Sequence, residues 1–152
     1  KGDIMFKQTL AIFLGLAATH SPAMAGETLD IWRSDPTRIF EAQNVDLTDV
    51  MWTARPWIIF ADSPRDPIFK QQMALWRAGL NVARDRDVMI VVDTDPTAQT
   101  QLRKTLRPKG FAWILIGKDG VVKLRKPFAW NMRELSRVID KMPMRQQEIS
   151  KP

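Results

Sequence analysis

Residues 55–79 read RPWIIFADSPRDPIFKQQMALWRAG. Trp57 to Ala61 is uniformly apolar, the pattern of a strand covered on both faces. Asp66 stands where a helix N-cap is wanted, and Pro67 suits the first helical position. From there Phe69, Met73 and Trp76 recur at helical spacing, so a helix follows and packs on the sheet through them. Burial of each is expected to contribute about 1.5–3 kcal/mol. Gly79 sits where a left-handed C-cap residue belongs. The stretch is thus a buried strand, a turn over Asp62 to Pro67 and an amphipathic helix.

Outward from this unit, Val88 to Val92 (VMIVV) is a second fully apolar strand, which completes a strand–helix–strand unit with parallel strands. Asn81 to Asp87 reads as a polar connection between them. Asp93 to Thr97 turns the chain, and a helix is predicted over 98–106 with Leu102 and Leu106 on one side. Phe111 to Ile116 (FAWILI) is a third apolar strand. Lys118-Asp119-Gly120 is predicted to be a type I′ hairpin turn. Val122 and Leu124 alternate with Lys123 and Arg125, which marks an edge strand with one wet face. The last predicted helix spans 131–142, with Asn131 and Glu134 as its capping pair. Met132, Leu135, Ile139 and Met142 form its buried stripe, and Pro143 ends it. Before the central unit, 29–33 reads as a short edge strand, and 45–52 as a short helix capped by Asp46. The expected fold class is α/β. Its sheet is mixed and four- to five-stranded, with helices on both faces and spatial order 88–92, 57–61, 112–117, 121–126.

The first segment reads as a signal for export. Leu10 to Ala18 is an apolar run too short to span a bilayer, and Ala23-Met24-Ala25 has the A-x-A pattern of a signal-peptidase site. Cleavage is expected after Ala25, which gives a signal peptide over 1–25 and a periplasmic or secreted product without a membrane span. The remaining organisation is an N-terminal extension (26–46), one domain (47–145) and a polar tail (146–152). The chain has no cysteine and no tyrosine, and its single histidine, His20, lies in the signal segment. A thiolate nucleophile is therefore excluded, and so are a Ser-His dyad and the usual zinc sites in the processed chain. No cofactor is expected. The net charge of +6 drops by one when the two lysines and one aspartate of 1–25 leave. Basic residues concentrate between Arg103 and Lys126. One reading of them is a solvated face; the other, for an exported protein, is a surface for an anionic envelope partner or another protein, not for nucleic acid.

The element order resembles the thioredoxin fold over roughly 47–142. Aligned on the first apolar strand, the two redox cysteines of thioredoxins would fall near Pro64 and Pro67, and their cis-proline at Ala112. No redox residue carries over, and the bond before Ala112 is expected to be trans. Phe60 to Pro67, Arg86-Asp87, Gly117 to Arg125 and Asp140 to Arg145 together resemble the exported family called domain of unknown function 4174. That resemblance implies a peroxiredoxin-like fold.

In thioredoxin-like folds the turn into the first long helix meets partners. Ser63, Arg65 and Asp66 are therefore candidate binding residues, with the free N–H groups of the helix's first turn as anion donors. Lys118, Lys123 and Arg125 on the hairpin form a second candidate group. The favoured reading is a non-catalytic binding or structural module. Two alternatives stand beside it. Val88 to Thr97 resembles the phosphatase motif in which Asp93 would attack phosphorus, Asp95 would serve as acid/base and both would hold Mg²⁺. The other is a peroxiredoxin-like scaffold working through a partner's thiol.

Overall fold

The computed structural model describes residues 26–151; the expected signal segment lies outside them. The chain runs α1 (Glu27–Ser34), β1 (Ile39–Glu41), two 3₁₀ turns (Ala42–Asn44 and Leu47–Val50), β2 (Arg55–Phe60), α2 (Pro67–Ala78) and α3 (Leu80–Arg84). It continues through β3 (Val88–Asp93), a 3₁₀ turn (Pro96–Ala98), α4 (Gln101–Leu106), β4 (Ala112–Ile116), β5 (Val122–Lys126), α5 (Met132–Ile139) and α6 (Pro143–Ser150). One five-stranded sheet has the order β1-β3-β2-β4-β5. β3 pairs in parallel with β1 and β2, whereas β2–β4 and β4–β5 are antiparallel. The four predicted strands lie in the predicted order, and β1 adds a fifth beyond β3.

The apolar runs of β2, β3 and β4 have a direct cause: every residue of these strands is buried, the charged Arg55 and Asp93 at two of their ends included. Alternate side chains serve two cores. Trp57, Ile59, Val88, Ile90, Trp113 and Leu115 face a cluster with Met73 and Trp76 of α2 and Met132, Leu135 and Ile139 of α5. Ile58, Phe60, Met89, Val91 and Ile114 face the other side, with Trp32 of α1, Phe40, Val50 and the partly buried Leu102 and Leu106 of α4. Trp57 meets Trp113 edge-on at 5.7 Å and Trp76 at 6.1 Å, arrangements favoured by the ring quadrupoles. The buried Gln72 amide donates to Trp130 O and accepts from Trp130 N, both at 2.8 Å, which fastens the segment before α5 to α2.

Several local expectations are corrected. Residues 29–33 form part of α1, not an edge strand, because Thr28 and Trp32, four apart, are the residues that bury. Residues 47–50 form a 3₁₀ turn, not an α-helix, although Asp46 caps it as expected through Thr48 N. The 81–87 connection contains α3. The hairpin is not type I′: only Gly120 has positive φ, +75°, while Gly120 N donates to Gly117 O and Gly117 N to Val121 O. A turn of this kind needs one left-handed residue, and glycine supplies it. The helix predicted to run to Met142 stops at Ile139, and Pro143, which was expected to end it, instead opens a further helix over 143–150.

Gly79 is not left-handed; its φ is −117°. It is required for another reason. A Cβ there would collide with Cβ and Cγ of Met132, where α5 crosses the α2–α3 junction. Gly79→Ala is therefore expected to destabilise the fold by about 1–3 kcal/mol, the usual cost of overpacking, although alanine is the better helix former. Urea unfolding measures it, and a stabilised variant would show that α5 yields freely.

Candidate functional site

The predicted site residues divide between opposite ends of the sheet. The turn 62–67 lies beyond the C-terminal ends of β2 and β3, where open α/β sheets bind ligands. Its polar atoms are engaged within the turn. Ser63 Oγ accepts from Arg65 N at 3.1 Å, and Asp66 Oδ1 accepts from Ile68 N at 2.7 Å and Phe69 N at 3.1 Å. Asp66 thus takes up two of the N–H groups that an external anion would need. Arg65 is exposed beside it.

Directly beneath the turn lies an ion pair that sequence reasoning did not anticipate. Arg103 approaches Asp93 Oδ1 through Nη2 at 2.7 Å and Nε at 3.1 Å. The same Nη2 donates to Asp93 O and to Ala61 O, the carbonyl just before the turn. Thr100 Oγ1 donates to Asp93 Oδ2 at 2.5 Å and caps α4 through Arg103 N. The Asp93 side chain is 2% exposed and that of Arg103 11%. Both Asp93 oxygens therefore have partners, and the carboxylate sits in the core rather than facing a cleft. Asp95 is exposed and closes its own turn by accepting from Thr97 N and Oγ1. The Thr97 side-chain hydrogen bond is the main cause holding its carboxyl below the usual range. Asp93 and Asp95 thus serve two separate structural purposes.

At the other end of the sheet, Lys118 is buried. It contacts Asp87 Oδ2 at 2.7 Å and Glu148 Oε1 at 2.8 Å. Arg55, 1% exposed, donates to Glu148 Oε1 at 2.8 Å and to Arg86 O at 2.9 Å. Arg86 holds Asp140 with two parallel bonds, at 2.9 and 2.8 Å, and Arg145 contacts Glu148 Oε2 at 3.2 Å. The Arg86 hydrogen bond, against a smaller effect of burial, holds the Asp140 carboxyl below its usual range. Arg86-Asp87, the hairpin lysine and Asp140 to Arg145 were separate motifs in the sequence. They converge on one cluster that ties α6 to the start of β2. Lys123 pairs with Asp119 at 2.6 Å, away from that cluster's acids. Arg125 lies along β5 and donates to Leu106 O at 2.7 Å. The hairpin cations thus do not form one site: Lys118 is a structural ion, and Arg125 faces the α4 end.

The family model "Domain of unknown function (DUF4174)" matches residues 46–148. The chain belongs to this family. The match spans the whole Arg55–Lys118–Glu148 cluster and takes in α6 as far as Glu148. Three peroxiredoxins are among the solved structures similar to the chain. One is the reduced 2-Cys peroxiredoxin of Plasmodium vivax, with TM-score 0.53 and 15% identity over 68% of this chain and 85% of that one. A mutant of peroxiredoxin 6 from Arenicola marina gives 0.52 and 15% over 70% and 68%. The yeast mitochondrial 1-Cys peroxiredoxin gives 0.50 and 18% over 70% and 97%. No curated protein matches the chain. At such identities the likeness concerns the fold, which is thioredoxin-like of the peroxiredoxin kind. The DUF4174 chain departs from those proteins in having no cysteine, so the thiols in two of their names have no counterpart here. No helix among the described residues is long and apolar enough to cross a membrane.

Proposed function

We infer that this DUF4174 domain is an exported module that acts by binding, not by thiol chemistry. The observation that carries this reading is the turn 62–67. It occupies the place where the fold presents its chemistry, yet it holds no thiol, and its own Asp66 fills the helix N-terminal donors. The ion pair beneath it adds to the case, since Asp93 is held by Arg103 and Thr100 and is not exposed for attack on a substrate. Export rests on the A-x-A site ending at Ala25 and places the processed chain in the periplasm or outside the cell. The partner is an anionic component of the envelope or another protein.

The test uses protein isolated from envelope extract. Its first residue is expected to be Gly26. It is expected to consume neither hydrogen peroxide in the presence of dithiothreitol nor the disulfides of insulin above the buffer rate. Turnover of either substrate by the purified chain would overturn the reading.

A further inference from the structure

The end of the sheet that carries the 62–67 turn also carries an unpaired basic cleft. The loop after α4 comes back past the turn, and Gly110 lies against Asp62. Between that loop and the C-terminal half of β5 is an open cleft of about 550 Å³, bordered by Arg107, Lys109, Arg125 and Lys126 over an apolar floor that includes Leu106 and Ala112. Three cations, Arg107, Lys109 and Arg125, present their charge to it and no acid lines it, whereas the Lys126 ammonium turns to the opposite face of the sheet, over Trp130. Among the described residues none of the three enters an ion pair. The contrast with the rest of the molecule is direct. At the opposite end Arg55, Arg86, Lys118 and Arg145 are matched by Asp87, Asp140 and Glu148, and Lys123 on the same strand β5 is matched by Asp119.

Arg125 is held in place: its Nη2 is fixed on Leu106 O, which leaves the remaining N–H groups of its planar fork for another acceptor. Arg107 adopts left-handed φ, +48°, at the end of α4, a conformation uncommon for a non-glycine residue, and it is exposed at the rim. Cations that are pre-ordered lose little freedom on binding. The volume exceeds what a single inorganic oxyanion fills and lies in the range of small-molecule sites. Two arginine forks and a lysine suit tetrahedral oxyanions, the arginines by paired hydrogen bonds and the lysine as a point charge.

We propose that the cleft between residues 106–110 and 125–127 is the binding site of this module and takes an anion bearing two or more phosphate groups. The proposal rests on the reading of the domain as a binder and names what it binds. The phosphates reach the cleft either as a free oligophosphate or on lipid headgroups at a membrane surface.

The experiment titrates the purified chain with inorganic tripolyphosphate by calorimetry at low salt. In parallel it measures co-sedimentation with phosphatidylcholine vesicles with and without phosphatidylglycerol. One-site binding of tripolyphosphate is expected, weakened at least about tenfold in the Arg107→Glu/Lys109→Glu variant and falling as salt rises, as release of counterions requires. Those two side chains are exposed and make no hydrogen bond in the structure, so the variant keeps the fold; Lys109→Glu alone serves as a second probe. The charge-matched variant Arg33→Glu/Arg77→Glu, on other surfaces, is expected to bind as the parent does. Saturable binding of the free anion supports the first source, and binding only to phosphatidylglycerol vesicles, lost in the same variant, supports the second. Absence of both overturns the proposal, and so does equal weakening by the control variant. Those outcomes leave the redox assays untouched, so failure of this site is distinguishable from failure of the wider reading.

Discussion

Arg103→Leu is expected to destabilise the chain by about 3–5 kcal/mol, the cost of leaving one partner of a buried ion pair alone. The Asp93 carboxylate and Ala61 O lose this donor at once, and Asp93 O is left with Ala61 N alone. The Asp93 side chain is 2% exposed, so water does not replace the guanidinium. Thr100 remains as one hydrogen-bond partner but supplies no charge. The Arg103 guanidinium also sits 5.3 Å from the Phe60 ring centroid, so packing is lost along with charge. Chemical denaturation measures the cost. Asp93→Asn in the same chain removes the stranded charge while keeping an acceptor for Thr100. The double variant is therefore expected to be more stable than Arg103→Leu alone by about 0.5–3 kcal/mol, the usual coupling between residues in contact. A single-variant cost below about 1 kcal/mol would be that of a surface pair, and the account of Asp93 as a structural anion would then fail.

This ion pair shows why the sheet was legible in the sequence and its polar fastenings were not. β2, β3 and β4 announce themselves because burial on both faces keeps 56–60, 88–92 and 112–116 free of polar residues, a signal contained within five consecutive positions, while Arg55 and Asp93 mark the strand ends. The cap of α2 is equally local: Asp66, Pro67 and the apolar stripe stand in fixed spacing. α1 was less distinct, since Leu29, Ile31 and Trp32 fit a strand or a helix, and only packing against the 3₁₀ turn and β1 decides between them. α6 buries none of its residues, so no apolar period marks it. It is held instead by Glu148, whose partner Arg55 lies 93 positions away. Arg55 itself reads only as the residue before a proline. The acid motif at Asp93 and Asp95 misleads for a related reason. An aspartate at a strand end looks the same in sequence whether it faces substrate or a buried arginine, and Arg103, ten positions on, settles which it is.

Glu148→Gln tests the cluster that holds α6, and pH provides the second axis of the test. Burial pushes the Glu148 carboxyl up, but hydrogen bonds from Arg55 and Lys118, with the Arg55 charge and a hydrogen bond from Arg145, outweigh it and bring it from 4.5 down to about 2. A carboxyl lowered in the folded state stabilises that state fully above its unfolded value, and the contribution disappears as pH falls through the folded value. The window therefore runs from about pH 4.5 down to about 2. Asp140, also lowered, by Arg86, loses its contribution over an acid range of the same sign. At neutral pH, Glu148→Gln leaves Arg55 with Arg86 O at 2.9 Å and only a distant carboxylate, Asp87 at 3.9 Å. Because Glu148 is itself 25% exposed, the expected loss is about 2–3 kcal/mol, short of the 3–5 kcal/mol of a fully enclosed pair. The parent should lose stability steeply on acidification through that window, whereas the variant should start lower and fall less, since the Glu148 contribution is absent from it at every pH. Urea midpoints taken across the acid range separate the two curves. Hydrogen exchange of the 143–150 amides should rise in the variant while that of 88–93 keeps its protection until global unfolding. Curves that fall in parallel would mean that Glu148 does not carry the acid response, and α6 would then need another anchor.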